Sequence, residues 1–421
     1  MENTKMISKS FKGAKIACYS SYFTMSAAFA LSPLLFGAFH EIYGISYTLL
    51  GTLVLLNFST QLTIDLIFTF FSKHFNIKLT VTAMPLITST GLLIFALVPT
   101  LFPQLAYLGL VVGTVIFSVS AGLSEVLISP IVAAIPSKNP EKEMSLLHSL
   151  YAWGVITVVI ISSIFLKIFG TENWMWLTLF WAAAPIITSL IFHFSTLPDN
   201  VMGENAKQGG RKNTYFGLAL CTLCIFLGGA SENAMTNWIS VYIENSLNIP
   251  KVLGDVLGMA LFALLLGTGR IIYSKYSFNI IKVLFLGMLG ATLCYLTAGL
   301  SPLPVISMIA CVLTGLCTSM LWPGTLILME EKFPHIGVAA YALMAAGGDC
   351  GSSVAPQLLG AITDAVSASS WAKTLGATLS LSGEQLGMKV GMLMAALFPL
   401  MGVITVLYMK SYFKNKKRLE D

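Results

Sequence analysis

Four carboxylates, Asp65, Glu125, Glu232 and Asp349, stand inside long apolar runs. An ionised acid at the centre of a bilayer costs about 2.5–3.5 kcal/mol on insertion scales, so an acid kept there faces a cavity or a partner. Two of the four sit on polar stripes. At about 100° per residue, Thr114, Ser118, Ala121, Gly122, Glu125 and Ser129 fall on one narrow helical face. Gly229, Glu232, Asn233, Thr236, Asn237 and Ser240 share one polar arc, which leaves out Met235, Trp238 and Ile239. Either Glu125 and Glu232 line a water-filled path, where they bind a polar substrate or carry a proton, or each is a hydrogen-bonded packing residue between helices. Asp349 shares a face with Ala345, Ser352 and Pro356, but its flanking glycines also fit close helix packing. Asp65, near the end of its run, reads as structural, with Lys73 or Arg270 as a partner.

Further substrate contacts would combine hydrogen-bonding groups with aromatic faces. Asn57 and Gln61 lie one helical turn apart, and Tyr22, Tyr151 and Gln357 complete the candidate set. Trp153, Trp238 and Trp322 could stack on a ring, although packing or lipid contact is the commoner role for any single aromatic. His148 reads as a solvated residue at the membrane interface. Cys221-Thr222-Leu223-Cys224 has the spacing of a redox or metal pair, but it lies in an apolar run with no second pair and reads as packing. Gly109-x-x-x-Gly113 and Gly347-x-x-x-Gly351 read as close helix crossings. The chain has no Walker loop, zinc-protease helix or nucleophile elbow. It therefore reads as neither an enzyme nor an ATP-driven pump, and no cofactor or metal is expected.

The elements that must hold these residues follow from composition. Of 421 residues, 56% are hydrophobic and 10% charged, against roughly 25% charged in a soluble domain. An ordinary soluble enzyme is excluded. Apolar runs long enough to cross a bilayer cover about 16–38, 47–71, 79–101, 105–135, 145–168, 173–194, 214–243, 252–274, 281–300, 303–329, 337–365 and 388–409. They are continuously apolar rather than alternating, which favours helices over barrel strands. The expected fold is an all-α membrane protein of twelve transmembrane helices. With the N-terminus inside, twenty of the 24 basic residues fall in cytoplasmic connections, leaving Lys167, Lys251, Lys373 and Lys389 outside. Both termini are then cytoplasmic, and the net charge of +5 reads as a topology and lipid signal rather than a nucleic-acid surface. Ala28-Phe29-Ala30 imitates a signal-peptide cleavage site, but the apolar run continues past it, so the first span is expected to stay uncleaved.

Residues 196–213 are polar and glycine-rich, as in a flexible linker. They separate a six-helix bundle at 1–195 from a second at 214–421. The halves echo each other: Phe71-Ser72-Lys73-His74-Phe75 parallels Tyr273-Ser274-Lys275-Tyr276-Ser277, Pro130 parallels Pro323, and Gly154 parallels Gly347. Pseudo-symmetric bundles around a midplane site are typical of secondary transporters.

In this topology the chain resembles the major facilitator superfamily over its whole length. Ser72-Lys73-His74 keeps the basic part of that family's loop signature, and Gly267-x-x-Arg270 is a partial echo in the second half. Gly122-Leu123-Ser124-Glu125 followed by Pro130 resembles the fucose-permease branch, with Ser129 where that branch usually has asparagine. Met320-Leu321-Trp322-Pro323-Gly324-Thr325, then Gly347, Gly348, Gly351, Pro356, Gly360 and Asp364, are similar as well. The resemblance implies sugar–proton symport, with Glu125 at the substrate or proton site. Such symporters also use an acid in the first span, and residues 16–38 contain none.

The expectation is a monomeric plasma-membrane transporter that takes up a small polar solute, a sugar among the candidates, with protons as coupling ion and lipids as neighbours. Export of a drug or metabolite is the alternative within the superfamily. A membrane sensor that binds without transporting is the alternative of another class.

Overall fold

The computed structural model describes residues 11–71, 74–137, 140–198, 212–276, 278–333 and 338–420. Lys73, residues 199–211 of the expected linker and the side chain of His148 lie outside what is described. In chain order the helices are α1 (Lys12–Leu34), α2 (Phe36–Tyr43), α3 (Tyr47–Phe71), α4 (Ile77–Leu101), α5 (Ala106–Ala134), α6 (Pro140–Phe169), α7 (Trp174–Phe194) and α8 (Lys212–Val241). They continue with α9 (Lys251–Gly254), α10 (Leu261–Tyr276), α11 (Ile280–Leu300), α12 (Pro304–Thr318), α13 (Leu321–Lys332), α14 (Val338–Ala368), α15 (Ser370–Leu379), α16 (Gly383–Ala395) and α17 (Leu397–Glu420). Tyr242–Ser246 and Asp255–Ala260 are wound as π-turns.

Among the described residues, ten stretches are long and apolar enough to span a bilayer, and the bent pair α1–α2 would make an eleventh. The run expected at 337–365 became α14, which has the length, but its glycines and serines keep it out of that set.

Breaks and ends follow local chemistry. Pro33 cannot donate to the carbonyl four residues back, and the helix bends by 45° just beyond it, where the Leu35 N–H is shared between Leu31 and Ser32. Asn76 and Asn279 cap α4 and α11 by accepting from Leu79 and Lys282. The unforeseen helix α15 starts at a Ser369 cap, and α16 starts with a Ser382/Gln385 capping box.

The chain divides into two compact units, residues 1–44 with 59–204 and residues 45–58 with 205–421. In the first, α4 packs on α5 and α7, and α1 on α6 and α7. Gly109 and Gly113 make the α4–α5 approach possible: a Cβ at Gly113 would stand 2.7 Å from the Phe95 backbone nitrogen. The apolar core there includes Cys18, Tyr22, Met84, Leu127 and Phe192.

In the second unit α14 packs on α8 and α16, and α11 and α10 on α12. A Cβ at Gly351 would collide with the Phe226 carbonyl, so Gly347-x-x-x-Gly351 is indeed a close helix crossing. Cys221 and Cys224 are buried in this unit's core. The start of α3 belongs to the same unit. There Asp364 of α14 caps it, its two oxygens accepting from the Tyr47 N–H at 3.2 Å and the Thr48 N–H at 2.6 Å.

Candidate functional site

Two polar clusters form inside the helices, one in each unit. In the first, Glu125 projects from α5 toward α1 and α3. The Tyr22 hydroxyl lies 3.2 Å from Ser129 Oγ and within electrostatic reach of Glu125. Asp65 of α3 is also within reach of Glu125. Gln61, one turn before Asp65, is buried, and its carbonyl would stand 3.1 Å from a Cβ at Gly122. Tyr22, Gln61, Asp65, Glu125 and Ser129 thus converge, and of these Glu125 is the exposed one. Tyr151 is placed differently, packing edge-to-face on Phe29 with centroids 5.9 Å apart. Trp153 is exposed on the same helix.

In the second unit the polar arc of α8 divides among three neighbours. Glu232 Oε1 lies 3.6 Å from Arg270 Nη2 of α10, and Glu232 Oε2 is buried without a hydrogen-bond partner. Asn233 donates to Ser352 of α14 at 2.8 Å, and Asn237 donates to the Asn233 carbonyl at 2.9 Å. Ser240 donates instead to Asp255, which with Glu244 surrounds Lys251 at 3.7 and 3.2 Å.

Arg270 is held by a second contact with a clear sequence cause. In a continuous helix the Ser319 carbonyl would accept from residue 323, but residue 323 is proline and has no N–H. The helix breaks between α12 and α13, and Arg270 Nε donates to the freed carbonyl at 3.1 Å.

Asp349 is buried on α14, three residues before Ser352. Asn57 is buried on α3, and Gln357 Oε1 is buried without a hydrogen-bond partner on the α14 face that meets Gly51. Trp238 is wholly buried and donates to the Pro356 carbonyl at 3.0 Å, so its face is spent on packing. Trp322 lies over Gly348 and is half-buried.

Three features of these clusters leave no local mark in the sequence pattern or only a faint one. Arg270, expected in a cytoplasmic connection or as a partner of Asp65, lies within α10 and pairs with Glu232. Lys251 and Lys389, expected in external connections, are not free surface charges: Lys251 is ion-paired with only 11% of its side chain exposed, and Lys389 is buried and donates to the Ser301 carbonyl. Asp65, expected to partner Lys73 or Arg270, lies within electrostatic reach of Glu125, and Lys73 is outside the described residues. For Arg270 a signal existed: a guanidinium six residues inside an apolar helix has to be paired or hydrated.

A family model described as the Major Facilitator Superfamily matches residues 18–356. No curated protein matches the sequence. Among solved structures, a D-xylose–proton symporter superposes with a TM-score of 0.73 at 12% identity, covering 92% of this chain and 96% of that one. The nucleoside transporter NupG gives 0.68 at 13% identity, covering 94% and 98%. A point variant of the Escherichia coli fucose:proton symporter FucP gives 0.59 at 14% identity, covering 95% and 99%. At these identities the likeness concerns the fold.

Proposed function

We propose that this chain, which belongs to the major facilitator superfamily, is a proton-coupled secondary transporter that moves a small polar solute by alternating access. The observation that carries this reading is that two acids, Asp65 and Glu125, lie within electrostatic reach of each other on the helices of one unit. Acids within reach of each other in membrane helices are a usual means of carrying protons, and they are too costly to keep there without use. Buried amides, a hydroxyl and an ion pair supply the polar groups that a hydrated solute needs when it leaves water.

On this reading the chain has twelve spans, arranged as six-helix bundles at 1–195 and 214–421, with 196–213 and both termini in the cytoplasm. It works in the plasma membrane as a monomer. Glu125 and Asp65 handle the proton. Asn57, Gln61, Tyr22, Tyr151, Glu232, Asn233, Asn237, Asp349 and Gln357 contribute to solute binding and coupling. The xylose and fucose symporters and the nucleoside transporter with this fold support a polar solute, and two of them are named as proton symporters.

Uptake into proteoliposomes tests the proposal. With an inward proton gradient, at least one member of a panel of sugars, sugar acids and nucleosides is expected to accumulate, and a protonophore should abolish the accumulation. Expulsion of amphipathic dyes with no polar solute accumulated would contradict it.

A further inference from the structure

Resting on that reading, the second cluster narrows the solute. We infer that Arg270 binds a carboxylate, and that the substrate is a small monocarboxylate carrying hydroxyl groups, of the sugar-acid type.

Four observations lead there. The Arg270–Glu232 contact is a single approach of 3.6 Å, longer than the roughly 2.7–2.9 Å of a close charge-assisted hydrogen bond. The guanidinium is therefore held but not saturated. Its Nε is fixed to the Ser319 carbonyl, its side chain is 41% exposed, and no other partner occupies its terminal nitrogens among the described residues. A fork of this kind, anchored at one edge and open at the other, matches a carboxylate with two parallel bonds.

Glu232 Oε2 is buried and accepts no hydrogen bond. Buried oxygens are nearly always paired, so an orphan beside an open arginine marks a place for a donor that arrives with a ligand. Asn233 and Asn237 spend their amide nitrogens on Gly229, Ser352 and the Asn233 backbone, which leaves their side-chain oxygens to accept. From Glu232 to Asn237 the acceptors extend about 7.5 Å along α8, the length of a sugar chain or ring.

Charge count favours a monoanion. Lys251 is taken by two acids, Glu244 and Asp255, and Lys389 gives one N–H to the Ser301 carbonyl, whereas among the described residues Arg270 keeps its terminal nitrogens open beside the unpartnered Glu232 oxygen. A phosphate dianion would bring two charges to one guanidinium that already neighbours a carboxylate.

The test measures calorimetric binding and counterflow with D-glucuronate and with D-glucose, its neutral counterpart, on the full-length protein. Glucuronate is expected to bind and exchange, with glucose at least tenfold weaker. R270Q should weaken glucuronate by about 10- to 150-fold, the range for one hydrogen bond to a charged group. R270K, which keeps the charge and loses the fork, should fall between, guarding against misfolding as the cause. Exchange of glucose with no competition from glucuronate would overturn the inference and leave the transporter reading standing. Exchange of neither probe class, extended to sugars and nucleosides, would overturn both.

Discussion

Asp364 provides a quantitative test of how the second unit is held together. Its carboxylate is the cap of α3 although it lies 316 residues from Thr48 in sequence, accepting from the Tyr47 and Thr48 N–H groups at 3.2 and 2.6 Å. Asp364→Ala removes both acceptors. One is short and the other at the upper limit of length, and a hydrogen bond to a charged group is worth about 1.5–3 kcal/mol. Removing a helix cap costs about 0.5–2 kcal/mol, and the lost charge at the helix N-terminus about 0.3–1 kcal/mol. These figures overlap rather than add, which gives about 2–4 kcal/mol for Asp364→Ala. Asp364→Asn keeps one acceptor oxygen and should lose about 1 kcal/mol. Thermal melting in detergent should rank wild type above Asp364→Asn and that above Asp364→Ala. Exposed Glu41→Ala should melt with wild type. If Asp364→Ala also melts with wild type, the cap contributes nothing and the reasoning fails.

Two other substitutions probe packing and charge. Lys251→Met leaves Asp255, whose side chain is 0% exposed, without its countercharge. It should destabilise by about 3–5 kcal/mol, and adding Asp255→Asn should recover part of the lost melting temperature. Gly351→Ala places a methyl on the Phe226 carbonyl. Overpacking of about 1–3 kcal/mol should exceed the roughly 1 kcal/mol that alanine gains in helix propensity, so the variant should melt lower than wild type.

The membrane helices were legible because their signal is local. A run of some twenty apolar residues can scarcely be anything else, and the polar stripe around Glu232 marked the helix face that the structure fills with partners. The helix over 337–365 was legible as well, but its glycines, which lie where α14 crosses α8, dilute its apolarity and keep it out of the set apolar enough to span. What escaped was pairing. Nothing near Arg270 in sequence points to Glu232, thirty-eight residues away, and the carbonyl that anchors it is freed by a proline on a third helix. Lys251 falls between two apolar runs in sequence, and only the fold shows that its acids at 244 and 255 close over it. That Asp65 lies within electrostatic reach of a second acid, Glu125, is likewise an arrangement that charge complementarity alone would never propose.

Proton coupling through Glu125 is the step on which the proposed transport depends. The direct measurement compares two modes of transport in the same proteoliposomes carrying Glu125→Gln, using whichever polar solute the wild type accumulates. Counterflow requires the loaded carrier to change its facing but needs no net proton movement, while gradient-driven accumulation needs both. The prediction is that counterflow persists within a few-fold of wild type and accumulation disappears. Accumulation at wild-type level, with its dependence on the proton gradient intact, would contradict the account.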